Sequence, residues 1–368
     1  MLGISLFLSS CSSDPATPML AFSSQSYPVG VGPSSIAIGD FDGDLKLDLA
    51  VTNIGSGNVG VLLNSGMGGF GAMTSSGTVG IGPFQGATGD FNGDRKLDLV
   101  VANSQSGNIS VLLGDGNGGL GVSKDVAQGQ GPRTVVVADA SGDQKLDLLV
   151  GDLSGATVLI GNGMGGFSAA TKVASGGPFL AVGDFNGDQK LDLVLAGGSC
   201  VILLGNGQGG FGAATPFGCG LNTTPEFDSV VVSDFNGDHK LDLALGSFVN
   251  GMFGLHVLLG NGQGGFGAPT DYTVGGWLRA SGDFNGDGKT DLVLNDDGQA
   301  SSVSVRLGDG LGGFGKANNF PVGMHGWAVA VGDFNGDQKT DLAVANGPID
   351  SPPNRVSGAV TVLLNQTQ

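Results

Sequence analysis

Asp283–Leu292 reads DFNGDGKTDL. Acidic residues hold positions 1, 5 and 9 of this stretch (Asp283, Asp287, Asp291), and Asn285 holds position 3. Oxygen side chains at positions 1, 3, 5 and 9 of one tight loop suit a hard cation of about Ca²⁺ size. Gly286 and Gly288 let the backbone bend sharply enough to aim those oxygens inward. The stretch occurs seven times, starting at Asp40, Asp90, Asp139, Asp184, Asp234, Asp283 and Asp333, at intervals of 50, 49, 45, 50, 49 and 50 residues. Repetition at this period decides the architecture.

Length alone, 368 residues, suggests two or three domains. The repeats overrule it, because they run almost end to end and leave no room for a second domain. With 40% hydrophobic residues the chain is no solvated disordered polymer, although it carries 72 glycines and only 13% charged residues. The formal charge of −18 opposes nucleic acid, which needs a basic surface. Of the 33 acidic residues, 22 fall in the repeated loops, so the acidity is mainly a metal-binding signature. Seven divalent ions would bring −18 to −4. No stretch approaches the roughly 18 apolar residues of a membrane span.

Each repeat follows one plan. An apolar segment such as Ser35-Ile36-Ala37-Ile38 precedes the acidic loop. A second, such as Leu97-Asp98-Leu99-Val100-Val101, follows it. A variable polar stretch leads to a third, such as Val257-Leu258-Leu259, then to a glycine hairpin signal such as GNGQGGF at 205–211, then to a fourth segment. Short β-branched runs punctuated by Gly, Asn and Asp read as strands, and no window sustains a helical period. Four strands per period predict an all-β fold: a seven-bladed β-propeller with four antiparallel strands per blade. The seventh repeat stops at Val360-Thr361-Val362-Leu363-Leu364, before its hairpin and fourth strand, while Leu20–Val29 reads as a spare fourth strand. The N-terminal strand should therefore close the last blade and remove a sheet edge. A β-solenoid, the competing architecture, needs no such complementarity of the ends.

Seven copies of D-x-[N/D/S]-G-D-x-K-x-D-L, with Gly-Gly-Phe-Gly pieces such as Gly209-Gly210-Phe211-Gly212, resemble the FG-GAP (VCBS-type) repeat. That family includes the heads of integrin α subunits. The resemblance covers about 20–368. It implies a seven-bladed propeller with Ca²⁺ in each loop, between the first and second strands of a blade. Carried over position by position, the ligand residues of the first three loops are Asp40, Asp42, Asp44, Lys46 and Asp48; Asp90, Asn92, Asp94, Lys96 and Asp98; and Asp139, Ser141, Asp143, Lys145 and Asp147. Those of the next two are Asp184, Asn186, Asp188, Lys190 and Asp192, then Asp234, Asn236, Asp238, Lys240 and Asp242. The last two use Asp283, Asn285, Asp287, Lys289 and Asp291, and Asp333, Asn335, Asp337, Lys339 and Asp341. Each lysine would contribute its carbonyl and turn its side chain to water. The leucine after position 9 should anchor the second strand, and the phenylalanine at position 2 of six loops should pack between blades. An EF-hand is rejected: position 12 is apolar in every copy (Val51, Val101, Val150, Leu195, Leu245, Leu294, Val344), where that motif needs a bidentate Glu and an exiting helix. Metal-free Asx-turns are the other reading, but three or four carboxylates in one loop repel each other. The third loop, with Ala140 and Ser141, should bind most weakly, and the first, with one extra carboxylate, most tightly.

Metal loops and glycine hairpins share the bottom face, so the variable connections share the top, where recognition is expected. Six residues before each loop stand Ser34, Phe84, Arg133, Pro178, Asp228, Trp277 and Trp327, which include both tryptophans. Phe84, Arg133, Trp277, Trp327 and nearby His325 are the candidate ligand-binding residues for a carbohydrate or a surface protein. The bland alternative is that the tryptophans plug the central channel. Cys200 and Cys219 flank the third and fourth strands of the fourth repeat, within disulfide reach in an exported protein; buried thiols are the alternative. Residues 1–18 contain Leu8-Ser9-Ser10-Cys11, which resembles a bacterial lipobox and implies lipidation of Cys11, followed by a tether. A frayed apolar tail is the alternative, since no Lys or Arg precedes the run. The propeller then occupies 19–368. No zinc spacing, free carboxylate pair or phosphate loop is evident, and the plan suggests no Ser/His/Asp pairing. The expectation is a monomeric, non-catalytic, calcium-stabilised binding or adhesion module of the bacterial cell envelope, lipid-anchored or secreted, touching the membrane only through that anchor. A calcium-dependent polysaccharide lyase is the alternative.

Overall fold

The computed structural model describes residues 20–127, 129–197, 199–219, 226–296, 301–323, 326–347 and 357–367. Among them are 28 β-strands and no helix, arranged as seven four-stranded antiparallel sheets. The first blade shows the rule. Strands β2 (Pro33–Gly39), β3 (Asp48–Asn53), β4 (Asn58–Leu62) and β5 (Thr74–Thr78) follow one another outward, with the acidic loop joining β2 to β3. Every residue of β3 is buried, because one face packs on the preceding blade and the other on the next. This explains a strand that reads DLAVTN, apolar throughout its middle, where a one-sided strand would alternate.

The innermost strands form a ring. They are β2, β6 (Pro83–Gly89), β10 (Thr134–Ala138), β14 (Phe179–Gly183), β18 (Glu226–Ser233), β22 (Gly276–Gly282) and β26 (Gly326–Gly332). Each touches the next, and β26 returns to touch β2. The seventh blade contains β26, β27 (Asp341–Asn346) and β28 (Ala359–Asn365), and its fourth strand is β1 (Phe22–Pro28). β1 pairs with β28 from Phe22↔Asn365 to Pro28↔Ala359. The N-terminal segment thus closes the ring, as its spare-strand pattern predicts.

Seven apolar clusters lie between the facing sides of neighbouring blades. One joins Phe41, Val59 and Val61 of the first blade to Leu99, Val101 and Leu112 of the second. The leucines after position 9 (Leu49, Leu99, Leu148, Leu193, Leu243, Leu292, Leu342) are fully buried. The position-2 phenylalanines do bridge blades. Phe91 meets Phe167, Phe185 meets Phe266, Phe235 meets Phe314 and Phe334 meets Phe70, with ring centres 5.5–5.9 Å apart and edge-to-face. The position-2 carbonyl adds a backbone latch: Gly118 N–H donates to Phe41 O, Gly165 to Phe91 O and Gly264 to Phe185 O. The sheet closed by β1 has no glycine hairpin, and there the Asn365 amide donates to Phe284 O at 2.8 Å.

In the fourth blade, β16 (Cys200–Leu203) pairs with a short outer strand, β17 (Thr215–Phe217). Cys200 and Cys219 are joined by a disulfide with Cα atoms 6.1 Å apart.

Candidate metal loops and the mouth of the channel

In all seven loops one carboxylate organises the turn. The position-1 aspartate accepts the N–H groups of positions 4, 5 and 6; for Asp40 these come from Gly43 (2.7 Å), Asp44 (3.0 Å) and Leu45 (2.9 Å). That grip forces position 6 into the left-handed region. Leu45, Arg95, Gln144, Gln189, His239 and Gln338 have φ of 63–67°, and Gly288 has 77°. Non-glycine residues adopt this conformation at a cost, so its recurrence shows a turn held by its hydrogen bonds.

The position-9 aspartates (Asp48, Asp98, Asp147, Asp192, Asp242, Asp291, Asp341) have no exposed surface. Each staples two segments. Asp242 Oδ2 accepts from Phe235 N–H at 2.9 Å, and its Oδ1 accepts from Gly260 N–H, at the start of the glycine hairpin, at 2.7 Å. Burial pushes Asp48, Asp98, Asp192 and Asp242 above the ordinary carboxylate range, and Asp291 and Asp341 up to about 6. Among the described residues none of the seven has an ion-pair partner. A buried carboxylate in that condition is compensated by a cation or costs stability.

One expectation needs correction. The position-7 lysine does not simply point to water. Lys46, Lys145, Lys190, Lys240 and Lys289 place Nζ 2.6–3.5 Å from the position-5 carboxylate. That pairing holds Asp44, Asp143, Asp188 and Asp238 below the usual range. The lysine stem lies over the neighbouring hairpin, where Gly262 (φ 69°) leaves room; a Cβ there would stand 2.8 Å from Lys240 Cδ. The trio of acidic groups that the described residues gather within 4.8 Å is Asp40, Asp42 and Asp48, from positions 1, 3 and 9 of the first loop. In the third loop Ser141 Oγ is buried and has no hydrogen-bond partner of ordinary geometry. All-oxygen donors and a buried carboxylate with no ion-pair partner among the described residues together fit a hard cation.

At the other end of the ring, the inner strands surround a cavity of about 1040 Å³. Ser34, Phe84, Arg133, Pro178, Trp277 and Trp327 line it, so the structure gathers six of the seven residues picked out by spacing. The side chain of Asp228 and the whole of His325 and Cys11 lie outside the described residues. The two tryptophans differ. Trp277 is packed by a hairpin the spacing could not place: Phe248 and Phe253, from β19 (Asp242–Val249) and β20 (Met252–Leu258), lie 5.4 and 4.7 Å from its ring, and Arg279 lies 5.9 Å from it. Trp327 donates its indole N–H to Gly347 O at 3.2 Å and keeps 37% of its surface exposed. The channel therefore has an open aromatic wall. Among the described lining residues the ionisable side chains are Arg133 and Arg279.

A Ser–His–Asp chain, which the plan did not suggest, crosses the fifth blade. Ser247 Oγ lies 2.8 Å from His256 Nε2, and His256 Nδ1 lies 2.7 Å from Asp271 Oδ1. Ser247 is 3% exposed and the Asp271 side chain 55% exposed, the reverse of a hydrolase, whose serine must meet substrate. The same register holds Asn103–Ser110–Asp125 in the second blade and Asn346–Thr361–Ser26 in the seventh. The chain is a polar rung tying outer strands. Counting from each loop would have found it, since Asn103, Ser247 and Asn346 all occupy position 14.

The family described as FG-GAP-like repeat matches residues 40–101, 90–150, 141–195, 184–245 and 283–344. No match is found among curated proteins. Several solved structures share the fold. An Agrocybe aegerita lectin, solved to explain its recognition of non-reducing terminal N-acetylglucosamine, has a TM-score of 0.58 at 19% identity, over 88% of this chain and 87% of its own. A Lactobacillus plantarum protein gives 0.57 at 15%, over 81% and 87%. The periplasmic gluconolactonase of Pseudomonas aeruginosa gives 0.56 at 15%, over 79% and 86%. At these identities the likeness is one of fold.

Proposed function

The chain belongs to the FG-GAP-like repeat family, and from that premise we propose that it is a calcium-stabilised, non-catalytic binding module that takes a carbohydrate or protein ligand at the top of its ring. Calcium would be held by the side chains at positions 1, 3, 5 and 9 and by the position-7 carbonyl. It would supply positive charge against the buried position-9 carboxylates. Its role here is structural, since these loops stand at the end of the ring opposite the mouth.

One observation carries the binding reading: seven near-uniform blades converge on one mouth whose residues differ from blade to blade. A uniform scaffold with a variable concave rim is how recognition sites are built. Trp327 offers an exposed ring face there, of the kind that stacks on sugars. Export to the cell envelope, with Cys11 as a lipid anchor, completes the proposal; intact mass of the native protein tests that part, and an unmodified Met1 or a free Cys11 thiol defeats it.

A glycan array with the calcium-loaded protein and its Trp327→Ala variant tests the mouth. Binding that the variant loses, without loss of melting temperature, supports the reading. Binding unchanged in a destabilised variant makes Trp327 a plug. Release of ultraviolet-absorbing unsaturated sugars from polysaccharide would establish the lyase instead.

A further inference from the structure

The charges of this protein are sorted along the axis of the ring. Of its 33 acidic residues, 22 lie in the bottom loops, and the seven position-7 lysines lie among them. The mouth is different. Arg133 stands at its rim with the guanidinium carbon 5.9 Å from the centre of the Phe84 ring, and it makes no ion pair with any described residue. Arg279 lies deeper on β22, at a level otherwise formed by Ile36, Leu180, Val230 and Val329, and its Nε donates to Asn295 Oδ1 at 3.0 Å. No described lining residue is acidic. A chain of formal charge −18 that keeps Arg133 without an ion-pair partner among the described residues, in a cavity whose described lining holds no carboxylate, is arranged to receive an anion there.

We propose that the mouth selects an acidic oligosaccharide, with a uronate carboxylate seated on Arg133 and a sugar face stacked on Trp327. The proposal rests on the binding reading above and narrows it. Guanidinium N–H groups match the two oxygens of a planar carboxylate, and the aromatic contact with Phe84 holds the cation in place. Arg133 is the cation of the rim among the described residues, with Arg279 deeper and held by Asn295, and one rim guanidinium answers one singly charged group, where a phosphate or densely sulfated chain calls for a cluster of cations. Arg133 belongs to the third blade and Trp327 to the seventh, on different sides of the ring, so the ligand must span more than one sugar. A cavity of about 1040 Å³ is at the upper end of the range for small ligands, which suits two or three rings. A protein partner calls instead for a broad patch of roughly 800 Å² on each side.

The test is calorimetric titration of the full calcium-loaded chain with three probes: a trigalacturonate, the same trisaccharide with its carboxyl groups reduced to alcohols, and a peptide rich in Asp and Glu. Arg133→Gln and Trp327→Ala are titrated alongside. The expected result is binding of the uronate with affinity that falls as salt rises, at least about tenfold weaker binding of the reduced sugar, and loss of that preference in Arg133→Gln. Equal binding of acidic and reduced sugars, unchanged in Arg133→Gln, overturns the uronate while leaving a sugar-binding mouth. Binding of the acidic peptide alone overturns it in favour of a protein ligand. If none of the probes binds but a neutral glycan does on the array, uronate selection fails and the mouth stands. If nothing binds by either method, both readings fall.

Discussion

At the scale of single residues, the two inner carboxylates of a loop have different work. Asp238, at position 5, is a surface group whose Oδ2 lies 3.0 Å from Lys240 Nζ. Asp242, at position 9, is buried and joins the loop to the glycine hairpin through two backbone N–H groups. An asparagine there keeps one acceptor and turns an amide N–H₂ toward a backbone N–H. Asp242→Asn should therefore cost about 1–3 kcal/mol even in chelator, the price of an unmatched buried donor. Asp238→Asn in chelator should leave the denaturation midpoint nearly unchanged, because solvent screens an exposed pair. Only with calcium present should Asp238→Asn become strongly destabilising. Urea titrations of the two variants with EDTA and with calcium check this, and equal midpoints in EDTA would show that the buried staple contributes nothing.

At the scale of the element, strand identity was legible because the acidic loop and the glycine hairpin bracket every strand pair. Even the closing strand β1 could be read, from a seventh repeat that ends one strand short. What could not be read depends on register or rotamer. The chain from Ser247 through His256 to Asp271 needs three strands aligned, and the pairing of Lys240 with Asp238 needs a side-chain direction that spacing does not encode. The packing of Trp277 needs the fifth-blade hairpin that turns at Asn250 and Gly251. The fourth blade shows an element under pressure. β17 has three residues, and Pro216 has no N–H to give to the ladder. The Cys200–Cys219 disulfide, at a separation of 19, holds that strand to the blade. Cys200→Ser with Cys219→Ser should lower stability by about 3 kcal/mol, the loop-closure value for this length. It should also speed amide exchange in residues 215–217 before the rest of the blade. A double variant with the wild-type denaturation midpoint would mean that β17 needs no staple.

For the whole molecule, the question is whether seven loops act as seven local decorations or as one device. The blades interlock at the position-2 residue of each loop: in six loops its carbonyl accepts a backbone N–H from the next blade, in the sixth loop Phe284 O accepts the Asn365 amide, and in every loop but the third the residue is a phenylalanine. β1 then joins the last sheet to the start of the chain, so no blade can leave without opening its neighbours. An open array of repeats melts in pieces because each unit contacts only its two neighbours and the ends fray. A closed ring has no ends, and the predicted behaviour is a single transition. Each loop that binds calcium only in the folded ring adds about 1.4 kcal/mol for every tenfold rise in free calcium above its dissociation constant. Seven such loops on one transition make stability climb steeply with log calcium, while one loop makes it climb gently. The experiment is a series of urea denaturations at buffered free calcium, with magnesium as the comparison, since magnesium demands a tighter octahedral site. The expected outcome is one coincident transition by fluorescence and circular dichroism, with a calcium slope equivalent to several sites and a much smaller magnesium slope. A flat calcium slope would remove the ion from the account of the fold, and separate transitions at low calcium would show that ring closure does not make the blades cooperative.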